Sequence, residues 1–239
     1  MKVSAIIPAA GMGIRMGSSI PKQFLLLDGK PILQHTLSVL DQCSIVNEII
    51  LVVSEKEIAN GWQQIQDFYP KVTKVIVGGK ERQDSVYNGL QNLDSKADIV
   101  VVHDGVRPFV SDKLIRESVE AARDFGAAIT AIPVSDTIKK VNKEGMVVST
   151  IDRSGLWRVQ TPQTFQVSLL KGAFEKAKAD AFYGTDEGSL IEYLGREVKV
   201  VSGSELNIKI TRSEDLVLGE KIAEVLKARQ PKNRAGNLS

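Results

Sequence analysis

VSAIIPAAGMGIRMGSSIPK, residues 3–22, decides the fold. Val3 to Ala9 is an almost continuous apolar run, as expected of a strand buried on both faces of a parallel sheet. A glycine-rich turn follows, with Gly11 and Gly13, and then Arg15, Pro21 and Lys22. Two known phosphate loops can be tested against it. A P-loop needs Gly-x4-Gly-Lys-Ser/Thr, and no lysine follows Gly17. A dinucleotide fingerprint needs a third glycine where Met16 stands, one position before Gly17. Neither fits. The loop nevertheless leaves the carboxyl end of the first strand, where open α/β sheets bind ligands. Glycines let backbone N–H groups approach an anion closely, and Arg15 and Lys22 add positive charge. The stretch reads as a phosphate site.

The same alternation continues along the chain. EIILVVS (48–54), TKVIVGG (73–79), ADIVVVHD (97–104), AAITAIPV (127–134) and EVKVVSG (197–203) read as strands. PILQHTLSVLDQC (31–43), EKEIANGWQQIQDFY (55–69), ERQDSVYNGLQNL (81–93) and SDKLIRESVEAARDFG (111–126) have apolar residues at helical spacing. Strand–helix alternation predicts a doubly wound, mostly parallel α/β sheet of Rossmann-like type. DTIKKVNKEGMVVSTIDRSGLW (136–157) breaks the rhythm and reads as a protruding hairpin with its turn at NKEG. A lone hairpin is marginal in water, so this arm is expected to pack on something, such as a second subunit. SEDLVLGEKIAEVLKAR (213–229) reads as a closing helix with Ser213, Glu214 and Asp215 at its cap. The expected organisation is one domain over 1–228, with the arm at about 137–157 and a disordered tail over 229–239.

Composition bounds the function. Of 239 residues, 43% are hydrophobic and 25% charged, which is ordinary for a folded water-soluble chain. Net charge is +2, and the tail contributes Arg229, Lys232 and Arg234 without an acid. The body therefore carries no basic field that would argue for nucleic acid. Cys43 is the one cysteine, which fits a reducing compartment and a core position. No apolar run reaches the roughly 20 residues of a membrane span. The first strand begins too early to leave room for a leader, so the expected location is cytoplasmic.

PAAGMGIRMGSSIPKQFLLLDGKPIL (8–33) resembles the signature of cytidylyltransferases that act on sugar-alcohol phosphates, above all the 2-C-methyl-D-erythritol 4-phosphate cytidylyltransferase family of non-mevalonate isoprenoid synthesis. The likeness recurs at GGKERQDSVYNGL (78–90), VVHDGVRPFV (101–110), PVSDTIKKV (133–141), DRSGLWRVQTPQTF (152–165), TDEGSLIE (185–192) and ELNIKIT (205–211), so it covers the chain up to about Ala228. The resemblance implies transfer of a cytidylyl group from CTP to methylerythritol phosphate, with Mg2+ or another divalent cation as cofactor and a homodimer formed through the arm. It implies nucleotide contacts from Pro8, Ala9, Ala10, Gly11, Gly13, Gly79 and Ser85. Catalytic cations would be Arg15, Lys22 and Lys209. Arg153 would grip the acceptor's phosphate, where a planar guanidinium fork suits bidentate binding. Arg107, Thr137, Thr161 and Thr185 would serve as further acceptor-side groups.

Asp104 would lie at the carboxyl end of its strand, on the same edge as the glycine loop, and the resemblance makes it the metal ligand. His103 is expected to orient that loop and His35 to be structural. Lys80 and Arg82 are as readily solvated charges as ligand contacts. NIKIT (207–211) reads as a strand with Ile208 and Ile210 on one face and Lys209 on the other. An acceptor phosphate is already anionic near neutral pH and needs no general base, which accords with the lack of a Ser-His-Asp or Cys-His pattern. Two other readings remain. Ribitol 5-phosphate cytidylyltransferases share the glycine loop, HD-VRP and QTPQ, and differ on the acceptor side. A non-catalytic nucleotide-binding protein would lack the cations or the carboxylate, and here they are present.

Overall fold

The computed structural model describes residues 1–11 and 21–229. Gly13 and Arg15 lie outside the described residues, as do 230–239. Within them the elements are β1 (Val3–Pro8), a 3-10 turn (Lys22–Phe24), β2 (Leu26–Leu27), β3 (Lys30–Pro31), α1 (Ile32–Gln42), β4 (Glu48–Val53), α2 (Glu55–Ala59), a 3-10 segment (Trp62–Asp67), β5 (Val72–Val77) and α3 (Arg82–Gln91). These are followed by β6 (Ile99–Val102), α4 (Asp112–Phe125), β7 (Ala127–Pro133), β8 (Ile138–Val141), β9 (Val147–Ile151), β10 (Trp157–Gln166), α5 (Val167–Ala179), α6 (Glu187–Tyr193), β11 (Lys199–Ser202) and α7 (Ser213–Arg229).

Seven strands form the central sheet in the order β11-β7-β10-β6-β1-β4-β5. β10 alone runs antiparallel, between β6 and β7; the other neighbours pair in parallel. Alternation along β1 sends Ile6 and Ile7 to opposite faces. Ile7 packs with Leu33 and Leu37 of α1 and Ile115 of α4. Ile6 packs with Val86 and Leu90 of α3, Phe174 of α5 and Leu190 of α6. Burial on both faces explains why these strands read as unbroken apolar runs. Cys43 is a buried free thiol within the first of these clusters.

Three sequence expectations differ from the structure. The helix expected over 55–69 stops at Ala59, because Gly61 takes a left-handed φ of 88° before a separate 3-10 segment starts. NIKIT forms no ladder; it runs past Val106, whose carbonyl accepts from Ile210 N–H, and buries Asn207 together with Ile210. Arg229, the first residue of the expected tail, closes α7, and the rest of that stretch, 230–239, lies outside the described residues. β10 gives no strand signal in the sequence because Gln160, Thr161, Pro162, Gln163 and Thr164 disguise it. Proline is tolerated inside this strand because the register with β7 breaks between Val159 and Gln163, where a ladder N–H is not needed.

The hairpin matches its expectation. β8 and β9 pair as a separate two-stranded sheet, closed by hydrogen bonds between Asn142 and Met146. Val141, Met146, Val147 and Val148 are exposed on it, and Leu156, Trp157 and Val159 follow at its base.

Candidate functional site

β1, β6 and β5 end on one edge of the sheet, so the segments that follow them converge. The Pro8–Gly11 segment leaves β1, the Gly78–Gly79 turn leaves β5, and Asp104 follows β6. A cavity of about 430 Å3 lies between them. Its wall includes Pro8, Ala9, Ala10, Gly11, Gly79 and Ser85, together with Lys22, Asp104 and Lys209. The described nucleotide-side residues named from sequence are thus brought together. A Cβ on Gly78 would lie 2.4 Å from Ala10 Cβ, so these two turns meet only because that position lacks a side chain.

Local hydrogen bonds set the floor of this cavity. Ser85 Oγ accepts from Gly79 N–H at 3.1 Å and donates to the Glu81 carbonyl at 3.1 Å. The Gly79 N–H and the Ser85 hydroxyl proton thus close the turn between β5 and α3. Gln23, unremarked in the sequence, is buried and donates from Nε2 to the carbonyls of Ala9 (2.6 Å) and Gly11 (3.1 Å). It ties the Lys22 turn to the glycine segment by occupying two of that segment's carbonyl oxygens.

Asp104 is 6% exposed and faces three cations. Oδ1 is 3.3 Å from Arg82 Nε, and Oδ2 is 2.8 Å from Lys209 Nζ and 3.5 Å from Arg107 Nε. Burial alone would raise its pKa, but Arg82, Lys209 and Arg107 outweigh that and hold the carboxyl well below its usual range. Sequence alone leaves Arg82 readable as a solvated charge; it is instead a half-buried bridge between two carboxylates. Its NH1 donates to both oxygens of Glu187, at 2.7 and 2.9 Å. Glu187 is 1% exposed; burial pushes its carboxyl up, and the Arg82 guanidinium opposes that. Nothing in the spacing of TDEGS distinguishes this glutamate from an ordinary helix-start acid.

His103 orients Asp104. Its Nε2 faces the Arg107 carbonyl at 3.1 Å, so Nε2 carries the proton and Nδ1 accepts from Thr161 Oγ1 at 2.9 Å. Thr161 Oγ1 in turn accepts from Asp104 N–H at 3.0 Å. The one hydroxyl proton of Thr161 is thereby committed to His103. Burial pushes the His103 imidazole down to about 4. Its folded pKa lies below the unfolded value of 6.5, so the unfolded state binds more protons between those values. Stability is therefore complete above about pH 6.5 and falls as the pH drops towards 4, by roughly 3 kcal/mol in all. Urea unfolding between pH 7 and 4.5 should show this slope, reduced by about one proton in His103→Gln. Identical slopes would mean that His103 is not the buried neutral group described here.

A second hollow of about 300 Å3 adjoins the first. Arg107, Thr161 and Thr185 line it with Gln160, Gln163 and Asp186. Thr137 and Arg153 line neither cavity; both are exposed at the base of the arm, where an Arg153 guanidinium N–H donates to the Ser135 carbonyl. His35 is structural, with Nε2 2.7 Å from the Leu27 carbonyl.

Among the described residues no three His, Cys, Asp or Glu side chains converge on a metal-sized site. The chemistry still suits a hard divalent cation held partly by a ligand. Such an ion typically uses one or two carboxylates and takes its other oxygens from phosphates and water. Asp104 supplies one carboxylate on the cavity wall, and Oδ1 carries a single ion-pair contact.

A mostly parallel α/β sheet, with a cation-lined cavity at the carboxyl edge of its strands, defines a Rossmann-like nucleotidyltransferase. The family model described as "IspD: 2-C-methyl-D-erythritol 4-phosphate cytidylyltransferase" matches residues 3–225, and the chain belongs to that family. The chain is 48% identical over 221 residues to the 2-C-methyl-D-erythritol 4-phosphate cytidylyltransferase of Syntrophus aciditrophicus, covering 92% of this chain and 94% of that one. It is 49% identical over 224 residues to the enzyme of that name from Alkaliphilus metalliredigens, covering 92% of each. The crystal structure of the enzyme of that name from Thermus thermophilus superposes with a TM-score of 0.79 at 32% identity, covering 94% of this chain and 100% of that one. The 4-diphosphocytidyl-2C-methyl-D-erythritol synthase of Anaerococcus prevotii gives 0.82 at 34% identity, covering 93% and 96%.

Proposed function

We propose that the chain transfers a cytidylyl group from CTP to 2-C-methyl-D-erythritol 4-phosphate, releasing pyrophosphate and supplying isoprenoid precursor synthesis. The observation that carries this is the cavity in which Lys22, Lys209 and Asp104 share a wall with the glycine-lined edge. CTP occupies that cavity, against Pro8 to Gly11, Gly79 and Ser85, with Gly13 and Arg15 continuing the same loop. The acceptor lies in the adjoining hollow beside Arg107 and Thr185. A phosphate oxygen of the acceptor attacks the α-phosphorus of CTP, the new P–O bond forms in line, and the bond to pyrophosphate breaks. Arg15, Lys22 and Lys209 neutralise charge on the α-phosphate as it develops. Lys209 has three N–H donors and spends one on Asp104 Oδ2, so two remain for phosphate oxygens. Asp104 is the protein ligand for a divalent cation, Mg2+ in the first instance, which when bound offsets the charge of the phosphates.

Two exposed residues at the base of the arm, Thr137 and Arg153, complete the acceptor site of a second subunit. The apolar arm, a hairpin with exposed Val141, Met146, Val147 and Val148, supports a homodimer, since such a patch is costly to leave in water. Light scattering should give twice the chain mass; a monomer with full activity at the same concentration would overturn this assembly. The partners are CTP, the acceptor and a second copy, with neither nucleic acid nor membrane. Among the described residues no helix is long and apolar enough to cross a membrane. One domain carries the whole reaction, in the cytoplasm.

The deciding experiment is pyrophosphate release from CTP and Mg2+, run in parallel with methylerythritol 4-phosphate and ribitol 5-phosphate. Turnover with the first is expected. Turnover with the second alone would keep the nucleotide site and overturn the acceptor reading. Silence with both would leave a non-catalytic nucleotide-binding protein.

A further inference from the structure

Arg82, Asp104 and Lys209 are the residues common to the walls of both cavities. Arg82 opens α3 from the nucleotide side, and Glu187 opens α6 from the acceptor side. The guanidinium between them is divided: NH1 gives two hydrogen bonds to Glu187, while Nε stands 3.3 Å from Asp104 Oδ1. The cluster carries three cations and two carboxylates, so each anion matters to the other. We propose that Glu187, acting through Arg82, sets the charge and position of Asp104 so that the carboxylate remains able to take a divalent cation together with the nucleotide. Arg82 and Glu187 are positioning residues in this scheme, and the inference rests on the nucleotide assignment made above.

The physical reason is competition. Asp104 Oδ2 is already occupied by Lys209 and Arg107, so an incoming cation must share Oδ1. Glu187 draws the Arg82 charge towards itself by the two shorter contacts. Without that anion, the whole charge of this half-buried guanidinium would fall on Asp104 and oppose a second cation. Glu187 is not needed to hold the start of α6. Asp186 caps that helix by accepting from Ser189 N–H at 2.9 Å, and Gln163 of β10 clips it by bonding Asp186 Oδ2 at 2.8 Å and Gly188 N–H at 3.0 Å. Removing the Glu187 charge therefore tests the charge and not the helix.

The test is calorimetric titration of Mn2+–CTP into wild type and Glu187→Gln with no acceptor present, followed by steady-state turnover. Affinity for Mn2+–CTP is expected to fall about 10–100-fold, the usual consequence of losing a group that orients a metal ligand, while the acceptor KM stays within about threefold. Unchanged Mn2+–CTP affinity, or a change confined to acceptor KM, would overturn the inference and leave Glu187 as packing for α6. If Glu187→Gln lacks the wild-type circular dichroism, Arg82→Lys decides, because a single ammonium cannot serve both carboxylates. The same loss is expected, and wild-type affinity there would overturn the proposal. Wild type that binds Mn2+–CTP yet turns over neither acceptor would sink the proposed reaction alone, since the titration judges the Arg82–Glu187 link separately.

Discussion

Asp104→Asn should lower turnover by about 10³ or more, at least as much as deleting one preorganised contact. The amide keeps the shape of the side chain and removes its charge. Lys209 loses its 2.8 Å partner, Arg82 and Arg107 lose the anion between them, and the divalent cation of the proposed reaction would lose its protein ligand. The fold should survive, because the backbone N–H of Asp104 remains bonded to Thr161 and His103 still spans from Thr161 to the Arg107 carbonyl. Removing one member of a fully buried pair costs about 3–5 kcal/mol. Here Lys209 and Arg82 reach solvent, with side chains 36% and 32% exposed, so a loss of about 1–3 kcal/mol is expected. Pyrophosphate release and urea unfolding on the same preparation separate the two effects. Turnover within tenfold of wild type would remove Asp104 from the reaction.

Lys22→Ala should reduce kcat by about 10²–10³ with the fold intact. Lys22 opens the one-turn 3-10 helix after Pro21, at the edge of the nucleotide cavity. In the proposed reaction its ammonium would serve the α-phosphate, where charge grows during transfer, so the loss should fall more on kcat than on the KM for CTP. Gln23, which secures this turn through Ala9 and Gly11, is untouched by the substitution. Near-normal turnover would break the assignment of this cavity to chemistry.

The alternation of apolar strands and amphipathic helices was legible because burial on both faces writes itself into each strand segment. β10 was not, since its polar residues face a cavity and its proline sits at a register break, both of which depend on neighbours far along the chain. The same division runs through the site. Lys22 and Asp104 follow directly from segments that leave the carboxyl ends of strands. Arg82 could be seen in the sequence but not understood, because its partners Asp104 and Glu187 stand 22 and 105 positions away. The hydrogen bonds that hold the Thr161 and Ser85 hydroxyls inside the protein were not legible either, because the His103 partner of Thr161 stands 58 positions away and the Ser85 bonds depend on how the Gly79 turn closes.

By itself the sequence determined the class of fold, the hairpin, and the edge of the sheet where the cavity lies, since each follows from periodicity and from glycines at strand ends. Tertiary structure alone decided which charges meet. A buried carboxylate among three cations is set by chain crossings between β6, α3, α6 and the segment after β11, and local pattern carries no record of such pairings.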